Sequence, residues 1–550
     1  MRTKAWPILI VIIFGFLFPM VVHSENSSYD WFFGSIDEDP NSAYGYASDI
    51  CSITLNVDVS GYSYRVAGSQ GEYQVFLYIK NLLSEWGFDV KIHEFDFINW
   101  DIREEPFIKV TFGNETAVER IYPLHYTFST PTGGLNTTIE ILPLPQVFME
   151  GPLPDDTKEV WDKTNISGKI VLVGREVRFN SDWFLEFENK LRREKPLAVM
   201  YTWAIFHNFP MFFSSTGGRR DILKELRLPA FWISKSLADK IIDAWQENST
   251  IRAFVQIPID ERPGKVRNII ASIRGEDTSK TILITAHYDS VMTGGLADNA
   301  AGVAGCLELA RVLSRAISEG YYTPPINITF VFFTAEEAGL VGSLKFYADN
   351  LDFINQSVVG VINLDTLGSF TLETSSTRWP LRFLNGYYYT TDIIKEAAEE
   401  LGLSIITFRS YIHSDDSTFE YPNMVLSLVE EFWPDFQVDI EDFVFVSGVM
   451  IGSYPYVPWE PNEEGHVGWI HTPYDNTTST EIYDWVNPTR LEKQIKVAGL
   501  AILKVLELYE KRAPHGNLIS LEQVAMVVST VIVAITIIYV LKRRQRRQSF

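Results

Sequence analysis

At 550 residues the chain is too long for one ordinary domain, and with 46% hydrophobic residues it is too apolar for disorder, so two or three packed units are expected. A formal net charge of -23, with no basic face before the C-terminal end, argues against nucleic acid as a partner. The two cysteines, Cys51 and Cys306, are far apart in sequence. They form neither a disulfide framework nor a CxxC metal pair, and whether they pair is open.

Both ends carry membrane signals. Residues 1–24 open with Arg2 and Lys4, run apolar from Trp6 to Val22 and reach Ser24, which reads as a secretory signal peptide. Because the apolar run is long for a signal, a retained N-terminal anchor is the rival reading. Val524 to Leu541 contains no charge, and at ~1.5 Å per residue it covers roughly 27 Å, the thickness of a hydrocarbon core. Lys542, Arg543, Arg544, Arg546 and Arg547 follow. The positive-inside rule makes 524–541 a single transmembrane helix, 542–550 a cytoplasmic basic tail, and everything earlier extracellular. Asn-x-Ser/Thr sequons at Asn26, Asn114, Asn136, Asn165, Asn248, Asn327, Asn355 and Asn476 fit an exported glycoprotein.

Residues 41–103 form a first segment. Ser63–Gly71 is a polar turn; Glu72 to Trp86 follows with Val75, Ile79, Leu82 and Leu83 at helical spacing, and Gly87 stops it. From Val90 the pattern alternates as a strand, on which His93 reads as a half-exposed strand residue rather than a ligand. Over 104–264 strands are short, aromatics and prolines are frequent, and no ligand set clusters, so a mainly β accessory module is expected. From 265 to 511 strands alternate with helices: strands at 268–273, 281–286, 327–333 and 358–364, and a helix at 300–315. This order predicts a parallel α/β sheet with right-handed crossovers and ligands beyond the carboxyl ends of the strands. An amphipathic helix over 489–511 packs against the sheet or offers a homodimer surface, and 512–523 is a linker.

Those carboxyl ends carry the chemistry. His287 follows the 281–286 strand, Glu336 and Glu337 follow 327–333, Asp365 follows 358–364, and Asp298 opens the intervening helix. Converging buried acids need a cation, because an unpaired buried carboxylate costs several kcal/mol. Downstream, Trp469-Ile-His-Thr-Pro-Tyr-Asp supplies His471, with Asp475 nearby. Histidine plus carboxylate suits zinc, and two histidines with three carboxylates suit two zincs sharing a bridge.

The segments AHYDS (286–290), ADNAAG (297–302), TAEEAGLVGS (334–343), NLDTLG (363–368) and HTPYD (471–475), with RVAGS (65–69) upstream, resemble the di-zinc exopeptidases of the aminopeptidase and glutamate-carboxypeptidase type. Gly168–Arg175, 197–202 and 228–234 look like the protease-associated (PA) domain, a frequent insert in exported peptidases. The resemblance implies an α/β fold with a mixed, mostly parallel sheet flanked by helices, interrupted by a PA-like insert over 104–264. It implies Asp298 as the bridge of two Zn2+, His287 and Asp365 completing one site, and Glu337 and His471 the other. It implies Glu336 as general base, Asp289 as the carboxylate orienting His287, and Asp475 as support for the His471 loop. His413-Ser-Asp-Asp resembles the family's substrate-side segment, so Asp415 and Asp416 are candidates for substrate contact or for a solvated acidic loop. Where family members often place a tyrosine before the last histidine, this chain has Ile470; Tyr474, Tyr411 and Tyr288 are the substitutes.

The activity so implied is hydrolysis of peptides from one end. An aminopeptidase is favoured by Asp415, Asp416, Glu430, Glu431 and the negative field; a carboxypeptidase would use Arg378, Arg382 or Arg409. A non-catalytic receptor on this scaffold would have lost ligands, and a glutaminyl-cyclase-like transferase needs one zinc, whereas here the second ligand set is complete.

Overall fold

A computed structural model describes residues 29–37, 42–56, 62–142, 155–174, 182–202, 222, 225–409, 412–440, 442–454, 470–471, 475–477 and 486–513. The expected signal peptide and transmembrane helix, and also Tyr411 and Tyr474, lie outside these residues. Among the described residues no helix is long and apolar enough to cross a membrane.

The N-terminal helices 30–37 and 42–56 were not expected from sequence, because their apolar positions are diluted by Ser, Gly and Tyr. They pack through Phe32, Ile36, Ala47 and Ile50 into the main core. The helix 70–85 is capped by Ser69, whose hydroxyl accepts from the Glu72 amide, and it buries Val75, Phe76, Ile79 and Leu83. Gly87, at φ +86°, lets the chain turn into the first strand.

That strand, β1 (Val90–Ile102), leads out of the main core. The chain then builds a second sheet from β2 (Phe107–Phe112), β3 (Glu115–Arg120), β4 (Tyr122–Pro123), β5 (Leu135–Leu142), β6 (Ile170–Gly174), β7 (Ala198–Thr202), β8 (Ala230–Trp232) and β9 (Ile251–Gln256). Its order is β3-β2-β9-β5-β6-β7-β8-β4. The run β5 to β8 is parallel, and helices 155–163 and 182–194 lie between its strands. The chain returns as β10 (Ile259–Ile273), antiparallel to β1 from Val90 opposite Ala271 to Ile102 opposite Ile259.

The main sheet then gains β11 (Asp277–His287), β12 (Ile326–Phe333), β13 (Val358–Leu364), β14 (Thr371–Ser375), β15 (Ile405–Phe408) and β16 (Gly448–Tyr454). Its order is β1-β10-β12-β11-β13-β16-β14-β15. The central strands β12, β11, β13 and β16 are mutually parallel, while β1, β10 and β14 add antiparallel pairings. The fold is thus α/β with a mixed sheet. The near-continuous apolar runs of β11, β12 and β13 are those of strands covered on both faces. The helix 301–318 and the C-terminal helix 488–512 pack into the same core, the latter through Leu491, Ile495, Ala498, Ile502 and Leu506. Cys306 sits on the first of these helices, and both cysteines are buried and free.

Candidate metal centre

Register brings the donors to one rim. His287 ends β11 opposite Phe333, which ends β12, and Thr285 of β11 faces Asn363 of β13. The next residues along each strand therefore emerge together: His287, then Glu336 and Glu337, then Asp365. Asp298 arrives from the loop before the helix 301–318, through residues 298 and 299 whose φ/ψ are non-helical.

The side chains converge on Asp298. Its Oδ1 lies 3.1 Å from His287 Nε2 and its Oδ2 lies 3.0 Å from His471 Nε2. His287 Nε2 is also 3.6 Å from Asp365 Oδ1 and 3.9 Å from Glu336 Oε2, and His471 Nε2 is 3.4 Å from Glu337 Oε1. Two groups of donor atoms, each within 4.8 Å of one another, result: His287, Glu336 and Asp365, and Asp298, Glu337 and His471. Among the described residues, both nitrogens of His287, Glu337 Oε1 and Asp365 Oδ1 are buried with no hydrogen-bond partner. Buried polar atoms are almost always satisfied, so orphaned oxygens and imidazole nitrogens at one point fit a divalent cation.

The electrostatics agree. Burial works against the Asp298 carboxylate, but the imidazoles of His287 and His471 that face it outweigh it and hold its pKa below the usual range. Burial also opposes a charged His287, yet the carboxylates of Glu336 and Asp365 raise its pKa well above the ordinary value. Burial pushes Glu336 well up, opposed by His287 and reinforced by Glu337, Asp415 and Asp365. So many like charges at one rim share protons until a cation takes their place.

A layer of polar contacts orients the donors. Asp289 lies 3.5 Å from His287 Nδ1, and its oxygens accept the backbone amides of Glu336 and Glu337 at 3.1 and 3.2 Å. Asp475 accepts from the amides of Ala297 and Asp298 at 2.8 and 3.2 Å, and so ties the His471 segment to the Asp298 loop. Ser414 donates to Asp365 Oδ2 at 2.5 Å and receives from Asn363, itself held by Thr285. Arg65, fully buried, donates to the carbonyls of Tyr288, Gly294 and Gly295. Gly295 is at φ +58°, where a Cβ would meet Asp298 O at 2.3 Å and the Arg65 guanidinium. Strain gathers here too: Ala335, Thr366 and His471, each a donor or next to one, have φ between +56° and +60°.

Other candidates are placed differently. Asp415 and Asp416 are 0% and 4% exposed beneath the rim, so neither forms a solvated loop; Asp416 accepts from Ser375. Burial pushes them up to about 8 and about 7. Tyr288 is fully buried and its hydroxyl is committed to Glu72 and the Arg267 carbonyl, so it is removed from the oxyanion candidates. Sequence reasoning missed the roles of Arg65, Glu72 and Ser414. Arg65 and Glu72, either side of the Ser69 helix cap, were the available signal for the first two; nothing local marked Ser414.

The fold and the candidate donor set resemble those of two-zinc peptidases. Residues 268–491 match the model of Peptidase family M28. The chain is 28% identical over 309 residues to a probable lipoprotein aminopeptidase, LpqL, of Mycobacterium tuberculosis, covering 56% of this chain and 55% of that protein. It is 23% identical over 308 residues to an aminopeptidase of Pseudomonas aeruginosa, covering 56% of this chain and 54% of the relative. The chain thus spans about half the length of these curated relatives. A 104-residue stretch is 34% identical to a glutamate carboxypeptidase 2 homolog of Caenorhabditis briggsae, covering 19% of this chain and 13% of that one. Among solved structures, an aminopeptidase from Aneurinibacillus sp. strain AM-1 superposes with TM-score 0.55 at 20% identity, over 90% of this chain and 98% of that one. The zinc aminopeptidase of Bacillus subtilis gives TM-score 0.55 at 19% identity, over 87% and 96%. At these identities the structural matches define the fold.

Proposed function

We propose that this protein is an exported, membrane-anchored di-zinc exopeptidase that acts as an aminopeptidase. The observation that carries the reading is Asp298, whose two oxygens face one histidine each at 3.1 and 3.0 Å, so that one carboxylate spans two donor groups. His287 and Asp365 complete one site with it, Glu337 and His471 the other. Zinc held there supplies Lewis acidity to the scissile carbonyl and lowers the pKa of water.

Glu336 is assigned as general base. It adjoins Glu337, and its Oε2 stands 3.9 Å from His287 Nε2, at the edge of the donor set. It takes a proton from the attacking water and hands it to the departing amine. Asp289 holds it in place through the amides of both glutamates, so base and donor move as one unit.

The choice of the amino end rests on charge. A negative rim favours a substrate ammonium group. Of the arginines that a carboxypeptidase would use, Arg382 is committed to the carbonyls of Ile354 and Asn355, and Arg378 and Arg409 are exposed. The uncharged stretch 524–541 followed by five bases supports the anchor and an extracellular catalytic unit. The PA-like insert over 104–264 is proposed to gate substrate.

The test combines a metal count with matched substrates. The purified protein is expected to hold about two zincs per chain, and to cleave peptides with a free N-terminus but not N-blocked ones. Glu336→Gln is expected to retain zinc and lose ~100-fold or more of kcat. One zinc per chain, or equal cleavage of blocked peptides, overturns the reading; cleavage that requires a free C-terminus instead selects the carboxypeptidase.

A further inference from the structure

Behind the metal centre lies a buried polar cluster that the chemistry above does not use. Glu72, on the first turn of the helix 70–85, is 2% exposed. Its Oε1 lies 2.5 Å from Tyr288 Oη and 2.9 Å from Thr334 Oγ1. Tyr288 Oη is also 2.6 Å from the carbonyl oxygen of Arg267. Tyr288 follows His287 directly, and Thr334 stands two residues before Glu336. Thr334 is further held by its amide, which donates to Asn268 Oδ1 at 3.0 Å.

Counting protons decides the state of this cluster. Three contacts join Tyr288, Thr334, Glu72 and the Arg267 carbonyl. The two hydroxyls bring two protons, and a carboxylate brings none. Since a carbonyl can only accept, Tyr288 gives its single proton to Arg267 O. The Tyr288–Glu72 contact then lacks a donor unless Glu72 supplies one. A neutral acid completes the set: Glu72 donates to Tyr288, Tyr288 donates to Arg267 O, and Thr334 donates to Glu72.

We propose that Glu72 is a positioning residue kept as a neutral carboxylic acid, clamping the strand end that bears His287 to the turn that bears Glu336 and Glu337. Burial favours that state and pushes its pKa up to about 7; Asp289 and Arg267 are the charges facing it. The clamp reaches from a helix that supplies no donor to two of the three strand ends that do. Its consequence for turnover rests on the peptidase reading; its protonation state does not.

Infrared difference spectra of the purified parent and Glu72→Gln, taken below neutrality, test the protonation. The parent is expected to carry a protonated-carboxyl carbonyl band that the variant lacks, the difference isolating it from other buried acids. Glutamine can donate to both Tyr288 and Thr334, so Glu72→Gln is expected to keep kcat within about threefold and zinc dissociation near the parental rate. Glu72→Ala and Tyr288→Phe are each expected to lower kcat tenfold or more with little change in KM, and to speed zinc loss. Their double variant falls no further than the worse single one. Should Glu72→Ala not fold, the Gln and Phe variants decide alone. The proposal is overturned if no carboxyl band is lost in Glu72→Gln, or if that variant loses as much as Tyr288→Phe. If the parent cleaves no peptide, the proposed function fails, while the infrared and zinc-dissociation measurements still decide the clamp.

Discussion

Replacing Arg65 by methionine removes one cation and three hydrogen bonds without opening a large cavity. The guanidinium reaches the carbonyls of Tyr288 and Gly295 at 2.7 Å each and also that of Gly294. It is fully buried, so no water replaces it. Each hydrogen bond from a charged group is worth roughly 1.5–3 kcal/mol, and loss of the donor to the Tyr288 carbonyl adds about 1 kcal/mol or more, whereas Gly295 O keeps the Ala300 amide and Gly294 O the Cys51 thiol. Some of this returns when the 290–296 loop relaxes and when the cost of burying the cation disappears, so a net loss of about 4 kcal/mol is expected. That is a large share of the roughly 5–15 kcal/mol by which domains are stable. The loop that relaxes is the one that presents Asp298, so zinc affinity is expected to fall by about 100-fold with the stability. Urea unfolding of the zinc-free protein measures the first quantity, and competition with a chelator the second. Arg65→Lys, able to reach one carbonyl at a time, should recover only about a third of the loss. An Arg65→Met protein with parental urea midpoint and parental zinc affinity would refute the assignment of Arg65 as the anchor of this loop.

Asp289→Asn keeps the shape but weakens the acceptors for the Glu336 and Glu337 amides; zinc affinity should drop about 10–100-fold, read by chelator competition. Gly295→Ala forces a Cβ at φ +58° to within 2.3 Å of Asp298 O, and should destabilise by about 2 kcal/mol or more in urea, with zinc affinity falling alongside. Glu420 supplies a pH test: burial raises its pKa from 4.5 to about 7, against the amides of Gly448 and Arg378 that donate to it. The folded state therefore holds this proton more tightly than the unfolded chain. Its contribution is fully present below about pH 4.5 and is lost as pH rises through 7. Glu420→Gln should flatten that part of the urea stability profile, by at most about 3 kcal/mol between pH 5 and 8. An unchanged slope would show that Glu420 ionises normally in the fold.

The site was legible in sequence to the extent that it is built from strand ends. A buried parallel strand announces itself as an apolar run, and His287, Glu336, Glu337 and Asp365 each break such a run at its carboxyl end. The support beneath it was not legible in the same way. Ser414 orients Asp365 from 49 residues away, and Arg65 holds carbonyls more than 220 residues distant, with nothing periodic to mark either. Asp415 and Asp416 read equally well as a solvated loop until their burial was seen. The strands β14, β15 and β16 were missed because they are only five, four and seven residues long, too short for a pattern to stand out.

By itself, the sequence determined local quantities: which of the long, strongly patterned stretches are strands and helices, where polar groups interrupt them, and that acids and histidines recur at intervals suited to a sheet rim. Only the tertiary structure decided the quantities that depend on distance. Sheet order puts β11 between β12 and β13, so that three separate strand ends share one rim. Side-chain convergence turns Asp298 into a carboxylate facing two histidines. Burial makes Glu72 and Asp415 resist ionisation. The physical reason is common to all three: propensity and periodicity act between neighbours in the chain, whereas desolvation and Coulomb energy depend on separation in space, which the fold alone sets.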